Sequence, residues 1–316
     1  MKIAVLDWET VSNGGDITPD DIAKFGEVRI IPLSKAEEAA ENIGDAEIVL
    51  CNKVPITRVV MDKCPNIRYI GLFATGYNNV DIECATEKGI VVCNAGQYST
   101  SAVAQQTFAY ILDYFSRIRD YDAAVKDGMW VRSPKFSCFP FPTGELAGKT
   151  LSVVGFGSIG RTVARLGEAF GMNIVVNTRT LPENCPYEVT DVMTAAAKAD
   201  VLTFHCPLTP QTKGIVNREL LGCMKNTAIL INTSRGGAVC EADLAEALNS
   251  GKIAAAYLDV LEKEPMSADT PLRTAKNCVI TPHTAWAALE TRRRLVDIVC
   301  GNISAWLNGA PVNKVN

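Results

Sequence analysis

The sequence predicts an α/β protein with two parallel-sheet domains. Short β-branched runs alternate with helical segments of about ten residues, which is the pattern of βαβ units with right-handed crossovers. The alternation stops in an aperiodic stretch at 128–148 and then restarts, so the chain holds two successive α/β systems. Its 316 residues also favour two domains at roughly 150 residues each.

The first α/β system is predicted to contain five strands. They are expected at 3–6, 28–31, 47–51, 69–72 and 90–93. Helices are expected after Pro19 and over 35–42, 57–63 and 80–88. A longer helix follows over 101–119, and Ser99, Thr100 or Ser101 offers a side-chain cap for it.

The second system contains six predicted strands and ends in a long helix. The strands are expected at 150–155, 173–177, 201–205, 228–232, 253–259 and 278–281. Helices are expected at 159–170, 191–197, 218–224, 241–249 and 287–307. A nucleotide-type loop opens this second system rather than the first. We therefore expect a cofactor domain, 100–285, inserted into a substrate domain formed by 1–99 and 286–316.

Composition excludes several classes of protein. Thirty-one Lys and Arg against 35 Asp and Glu give a net charge of −4, and no basic block exceeds Arg292-Arg293-Arg294, so we expect no nucleic-acid partner. No apolar run approaches the ~18–20 residues of a membrane helix. The 11 cysteines are scattered without metal-ligand spacing. We expect no metal, small core cysteines and a cytoplasmic protein.

A glycine-rich loop predicts a dinucleotide site. Gly155, Gly157 and Gly160 form G-x-G-x-x-G, and with Ser158 and Ile159 they connect an apolar strand to a helix. The three glycines allow a tight turn, close approach to a pyrophosphate and helix–strand packing. Free amides at the helix start favour that anion.

The end of the next strand bears on cofactor choice. An acidic residue is expected there if the cofactor is NAD(H), because it accepts from the ribose hydroxyls. The chain instead has Thr178 and Arg179. A guanidinium pairs with a 2′-phosphate, so NADP(H) is favoured. NAD(H) remains the alternative, with Arg179 stacked on adenine and Thr178 bonding a ribose hydroxyl.

Polar residues follow several of the predicted strands, where open parallel sheets bind ligands. They include Arg235 between a serine and two glycines, and Glu264 before a proline. The chain has two histidines, His205 and His283, and small residues after His283 leave room for a ligand. We favour His283 as the acid/base and Arg235 as the site of an anionic substrate. A structural ion pair at Arg235 and a solvated Glu264 are the alternatives.

In order and spacing, four motifs together resemble the D-isomer-specific 2-hydroxyacid dehydrogenases. They are the glycine loop, NTSRGG, LDVLEKEP and TPHTAWA. Within that family, ATGYNNVD and PKFSCFPFPTGELAGKT are most similar to glycerate dehydrogenases, also called hydroxypyruvate reductases. The resemblance implies two Rossmann-like or flavodoxin-like domains. It also implies reduction of a small 2-keto acid to a D-2-hydroxy acid with NAD(P)H.

The resemblance also implies residue roles. Arg235 would hold the substrate carboxylate and polarise the keto oxygen, His283 would be the acid/base, and Glu264 would support its charged form. Thr75 and Gly76 would meet the substrate carboxylate. His205 would be structural. Cofactor contacts would come from the glycine loop and from Thr178, Arg179, Cys206, Pro207, Thr212, Thr233, Asp259 and Ala285.

Alternatives to this function remain open. Glyoxylate, D-lactate/pyruvate or a larger 2-keto acid are other substrates. A different class is a dinucleotide-sensing binding protein, like the corepressors similar to this family. The family's dimers and the aromatic stretch at 128–148 favour a homodimer; packing of those aromatics on their own domain is the other interpretation.

Overall fold

A computed structural model describes residues 1–180 and 184–316 of the chain. It divides into two compact units. The first unit comprises Met1–Ser99 together with Ala287–Asn316, and the second comprises Thr100–Trp286. The second unit is thus inserted in the sequence of the first.

The first unit is built on a five-stranded parallel sheet with the order β2-β1-β3-β4-β5. Its strands are β1 Lys2–Val5, β2 Glu27–Ile30, β3 Ile48–Cys51, β4 Tyr69–Leu72 and β5 Val91–Cys93. Its helices are α1 Asp20–Ala23, α2 Ala39–Ile43, α3 Arg58–Lys63 and α4 Ile82–Glu87, together with the late helix α11 at Leu289–Leu307. The central strands β3 and β4 are buried along their whole length, as expected for a parallel sheet covered on both faces.

An ion pair anchors the start of α11 within the first unit. Arg292 is 8% exposed, and its guanidinium donates to both carboxylate oxygens of Asp16, at 2.9 and 2.6 Å. It also donates to the Val11 and Ala287 carbonyls. The guanidinium holds the pKa of Asp16 well below its usual range. The network fixes the loop after β1 against the last helix.

The second unit contains the larger sheet. Its strand order is β12-β11-β10-β9-β6-β7-β8, all parallel. The strands are β6 Thr150–Val154, β7 Asn173–Asn177, β8 Glu188–Val189, β9 Val201–Phe204, β10 Ile229–Asn232, β11 Ala255–Leu258 and β12 Cys278–Ile280. The helices are α5 Thr100–Ser116, α6 Ile118–Lys126, α7 Ser158–Ala169, α8 Val192–Lys198, α9 Arg218–Cys223 and α10 Glu241–Asn249.

Strand register places one row of residues along the carboxyl edge of this sheet. Successive partners are Asn177, Val154, Phe204, Asn232, Leu258 and Ile280. The residue after each of them leaves the sheet at the same edge. Those residues are Thr178, Gly155, His205, Thr233, Asp259 and Thr281. The sheet therefore brings together side chains that lie up to about a hundred residues apart in sequence.

The predicted strands are confirmed to within about two residues, with two local differences. The helix predicted over 101–119 is broken at Arg117, whose φ of +54° is left-handed, and α6 begins after it. The two-residue β8 was not predicted, because so short a strand carries no periodicity. The prediction that cysteines are core residues fits Cys51 and Cys93, whereas Cys223 is exposed.

Candidate active site

The loop after β6 has the geometry that a dinucleotide needs. Gly155 has φ +94°, and a Cβ there would lie 2.6 Å from the amide nitrogen of Cys206. At Gly160 a Cβ would lie 2.0 Å from the carbonyl oxygen of Gly155. Gly157 is the N-cap residue of α7 and provides no side-chain cap, and apart from its two chain neighbours no described residue has an atom within 4 Å of the place a Cβ would take. Open space beside uncapped amides fits a pyrophosphate.

The other predicted cofactor contacts lie around the same sheet edge. Thr178 donates to the Thr180 carbonyl, and the side chain of Arg179 is exposed, with no ion pair among the residues described. Cys206 lies against Gly155. Thr212 accepts from the Thr209 amide and donates to the Pro207 carbonyl, both at 2.7 Å, so it closes its own turn.

The turn after β10 presents Arg235. The Asn232 side chain builds this turn: its Nδ2 donates to the Arg235 carbonyl at 2.9 Å, and its Oδ1 accepts from the backbone amide and the hydroxyl of Ser234. The Arg235 side chain is exposed, and its guanidinium donates to the Ser234 carbonyl at 2.7 Å. It makes no ion pair in the described part of the chain. The structural ion pair considered for Arg235 is thus absent among the described residues.

Gly236 joins this turn to the loop after β11. A Cβ on Gly236 would lie 1.9 Å from the carbonyl carbon of Leu261, so the two backbones touch. One carboxylate oxygen of Glu264 accepts from the Leu261 amide at 3.0 Å. Its other oxygen lies 2.7 Å from Nδ1 of His283. Glu264 is therefore an engaged carboxylate, and the Arg235 turn abuts the loop that carries it.

His283 is held in an unusual conformation. Its φ is +55°, which is uncommon for a residue with a Cβ and costs of the order of 1–3 kcal/mol. The His283 amide donates to the carbonyls of Asp259 and Thr281, at 2.8 and 3.0 Å. A carboxylate on Nδ1 fixes a proton there and leaves Nε2 for a ligand. Backbone strain maintained at one residue is typical of functional sites.

Asp259 organises the segment that carries this histidine. The carboxylate is 2% exposed and accepts from the amides of Thr284 and Ala285, both at 2.8 Å, and from the Thr281 hydroxyl. Thr281 in turn contacts the hydroxyl of Tyr110 on α5. The cofactor contacts implied for Asp259 and Ala285 stay predictions, and the structure provides a hydrogen bond between the two residues.

In the first unit, Thr75 and Gly76 follow β4. The Thr75 hydroxyl donates to the Gly96 carbonyl, and Asn94 donates to the Thr75 carbonyl at 2.8 Å. Thr75 is exposed, and among residues 1–180 and 184–316 no acceptor is found for the Thr75 or Gly76 amide. A clamped loop with available amides suits an anionic ligand.

The second unit also has a cavity away from the candidate active site. A cavity of about 650 Å³ opens at the opposite edge of the second sheet, near Ala255 and Val279 at the strand starts. Its polar lining is internally paired: Asp113 accepts from Tyr257 and Arg119. Within the described residues there is no group of three or more His, Cys, Asp or Glu suited to a metal, and no helix is both long and apolar enough to cross a membrane.

Sequence reasoning missed Asn232, Tyr110 and Thr107. Asn232 had a detectable signal, because it is a buried polar residue at a strand end directly before the arginine turn. Tyr110 and Thr107 lie on α5, more than a hundred residues before their partners Thr281 and Thr233. No local pattern indicates contacts across such a separation.

Comparisons with known proteins agree with this geometry. Residues 108–285 match the family model described as D-isomer specific 2-hydroxyacid dehydrogenase, NAD binding domain. The chain is 43% identical to a hydroxypyruvate reductase of Blautia hydrogenotrophica, with all of both chains covered. It is 36% identical to a glycerate dehydrogenase of Methylorubrum extorquens over 88% of each chain.

A solved structure shares the whole fold. It is an NADPH-dependent glyoxylate/hydroxypyruvate reductase of Sinorhizobium meliloti in complex with NADP and malonate, with a TM-score of 0.83 and 30% identity. The likeness covers 99% of this chain and 96% of that chain. The chain therefore belongs to the D-isomer-specific 2-hydroxyacid dehydrogenases, a family of nicotinamide-dependent oxidoreductases.

Proposed function

We propose that this protein reduces hydroxypyruvate to D-glycerate with a nicotinamide dinucleotide. One observation carries the proposal. The Arg235 guanidinium, which makes no ion pair with any described residue, and the His283 imidazole, which contacts the Glu264 carboxylate, follow strands of one sheet at the same edge, beside a loop that fits a pyrophosphate. The hydroxypyruvate reductase and glycerate dehydrogenase among its relatives support this substrate. When bound, the reduced nicotinamide supplies hydride to the keto carbon.

The side chains of this protein handle the charge and the proton. Negative charge develops on the keto oxygen during reduction, and Arg235 stabilises it as a fixed cation. His283 donates a proton from Nε2 to that oxygen. Glu264 keeps the ring oriented through Nδ1 and compensates its positive charge. The amides of Thr75 and Gly76 stay predicted contacts of the substrate carboxylate, as the family resemblance implies.

Glyoxylate and pyruvate are the competing substrates, and a glyoxylate reductase of Aeropyrum pernix is 38% identical to the chain. Oxidation of NADPH and NADH should be followed spectrophotometrically with hydroxypyruvate, glyoxylate and pyruvate. We expect the highest kcat/KM with hydroxypyruvate. Failure of all three to be reduced, with cofactor binding intact, would favour the dinucleotide-sensing alternative.

NADP(H) is the proposed cofactor, with NAD(H) as the alternative. Arg179 is exposed at the end of β7, where no carboxylate stands between Asn177 and Thr180. Arg179→Ala should weaken NADPH binding about tenfold and leave NADH binding nearly unchanged, because only NADPH carries the 2′-phosphate. Arg165→Ala, on a later exposed turn of α7, is the control. Equal effects on the two cofactors would contradict the phosphate contact.

We further propose a homodimer in the cytoplasm. Val131, Phe136 and Phe139 in the aperiodic stretch are 85–92% exposed, although Phe141 packs edge-to-face against Tyr121 in its own unit. Exposed apolar side chains of this kind are typical of subunit contacts. Eleven free thiols suit a reducing compartment. A monomer in analytical ultracentrifugation at micromolar concentration would contradict the dimer.

A further inference from the structure

Near the carboxyl edge of the second sheet, four polar side chains form a hydrogen-bonded series that the proposed reaction does not use directly. Thr203 lies in β9 and His205 just after it, while Thr233 follows β10 and Thr107 lies on α5. Alternate residues of a strand point to opposite faces, so 203, 205 and 233 share the face that α5 covers. Val201 and Ile231, with the same parity, pack there against α5.

The contacts are continuous. The Thr203 hydroxyl lies 3.0 Å from Nε2 of His205, and Nδ1 of His205 lies 3.4 Å from the Thr233 hydroxyl. Thr233 then lies 3.4 Å from the Thr107 hydroxyl. Thr203 and Thr107 are fully buried and Thr233 is 9% exposed. Among the described residues, the hydrogen-bonding contact at each ring nitrogen of His205 comes from a neutral threonine hydroxyl.

The hydrogen bond made by Thr107, at the α5 end of this series, fixes the direction of the other hydrogen bonds in it. The Thr107 hydroxyl donates to the Val103 carbonyl at 2.9 Å, so its single proton is used there. It must therefore accept from Thr233. Thr233, having donated, must accept from Nδ1 of His205. The imidazole consequently carries its proton on Nδ1, and its Nε2 accepts from Thr203.

We infer that His205 is a positioning residue that, as the neutral Nδ1–H tautomer, sets the Thr233 hydroxyl as an acceptor for the carboxamide of a bound nicotinamide. Once Thr233 has donated to Thr107 and accepted from His205, one lone pair remains for an incoming N–H donor. The Asp259 carboxylate already accepts three hydrogen bonds from 281–285, so most of its capacity to accept from a ligand is taken. The identity of the occupant rests on the proposed function, but the tautomer does not.

Nuclear magnetic resonance of the cofactor-free protein tests the tautomer. The chain has two histidines, so ¹⁵N-labelled histidine gives two ring patterns, and His283→Ala assigns them. We expect the His205 ring to show the Nδ1–H pattern and not to titrate between pH 5 and 8. An Nε2–H pattern, or titration near the ordinary value of about 6.5, would overturn the inference.

Two variants test the positioning role. His205→Asn places an amide nitrogen near the position of Nδ1 and keeps the donor to Thr233, whereas His205→Gln places its amide nearer Nε2 and removes that donor. Fluorescence titration should give an NADPH Kd about fivefold higher for His205→Gln and within about twofold of wild type for His205→Asn. The KM for hydroxypyruvate should be unchanged in both variants.

Equal losses in the two variants would overturn the role. So would a change in the KM for hydroxypyruvate without a change in NADPH binding. If the wild-type protein bound no NADPH, the proposed function would fail, and the tautomer assignment would still be decided by the spectra of the cofactor-free protein.

Discussion

The loops after β9 and β12 each carry one of the two histidines of the chain, and their surroundings are opposite. His205 touches threonine hydroxyls, and burial lowers its pKa to about 3, so it stays neutral at physiological pH. His283 lies 2.7 Å from the Glu264 carboxylate in a left-handed backbone conformation. Both leave the same sheet at the same edge.

We attribute the two roles proposed for His205 and His283 to this difference in their surroundings. An imidazole that transfers protons needs a partner for its charged form and a nitrogen open to substrate. The Glu264 carboxylate provides that partner at His283, whereas at His205 both ring nitrogens face protein hydroxyls. We therefore propose that the same residue type is an acid/base at one strand end and a fixed hydrogen-bonding element at the other.

The largest effect on kcat is expected from removing the imidazole of His283. His283→Ala should lower kcat by roughly 10²- to 10⁴-fold, because the proton donor is lost, while NADPH still binds. Steady-state kinetics and a fluorescence Kd measure the two quantities. His205→Asn is the matched control and should keep most of its turnover. Comparable losses in both variants would erase the distinction between the two histidines.

Arg235→Ala should have the next largest effect. Loss of the cation facing the developing oxyanion should reduce kcat/KM for hydroxypyruvate by roughly 10²- to 10³-fold. Arg235→Lys should recover only part of this, since the ammonium lacks the planar fork of the guanidinium. Arg273→Ala, at an exposed site outside the loops described, is the control. Full activity in Arg235→Ala would leave the reaction without its proposed electrophilic group.

A smaller loss is expected from Glu264→Gln. The amide keeps the shape but removes the charge facing His283, which should reduce kcat by about 10- to 100-fold. The neighbouring exposed Glu262 offers a matched control as Glu262→Gln. If the two variants have the same kcat, then the 2.7 Å contact does not support the imidazole during catalysis.

The smallest expected effect is on the free energy of unfolding, and it comes from the titration of His205. Its folded pKa is about 3 and the unfolded value about 6.5, so the unfolded state binds more protons between these values. The free energy that this neutral ring contributes is fully present above pH 6.5 and declines as pH falls toward 3. Between pH 6.5 and 5 we expect a loss of roughly 1–2 kcal/mol relative to His205→Asn.

Urea unfolding of both proteins at each pH gives this difference. A gap in unfolding free energy that stays constant from pH 7 to 5 would mean that His205 titrates normally, which would contradict its neutral environment.

Sequence predicted most of the fold because the central strands are buried on both faces and form short apolar runs in the sequence. β4, β7 and α10 begin and end where the pattern placed them. The break at Arg117 was missed because arginine is an ordinary helix residue, and only its tertiary neighbours favour the left-handed φ. Helix ends elsewhere differ by a residue or two, as capping patterns allow.

In the candidate active site, too, some residues were predictable from the sequence and others were not. Arg235 and His283 each follow a strand end within three residues, so their positions nominated them, whereas the role of Glu264 came from the family resemblance. Other parts of the site are held by groups from distant elements: Asp259 binds the segment 281–285 that carries His283, and Thr107 on α5 contacts Thr233. Contacts between buried polar groups depend on how elements pack, and a single sequence does not contain that information.

The central claim is that Arg235 and His283 act on the same substrate oxygen. A crystal structure with NADPH and oxamate, a non-reducible analogue of a 2-keto acid, tests it directly. We predict that one oxygen of oxamate lies within about 3.2 Å of both a guanidinium nitrogen of Arg235 and Nε2 of His283. Oxamate bound to the protein with that oxygen out of hydrogen-bonding reach of either side chain would contradict the account.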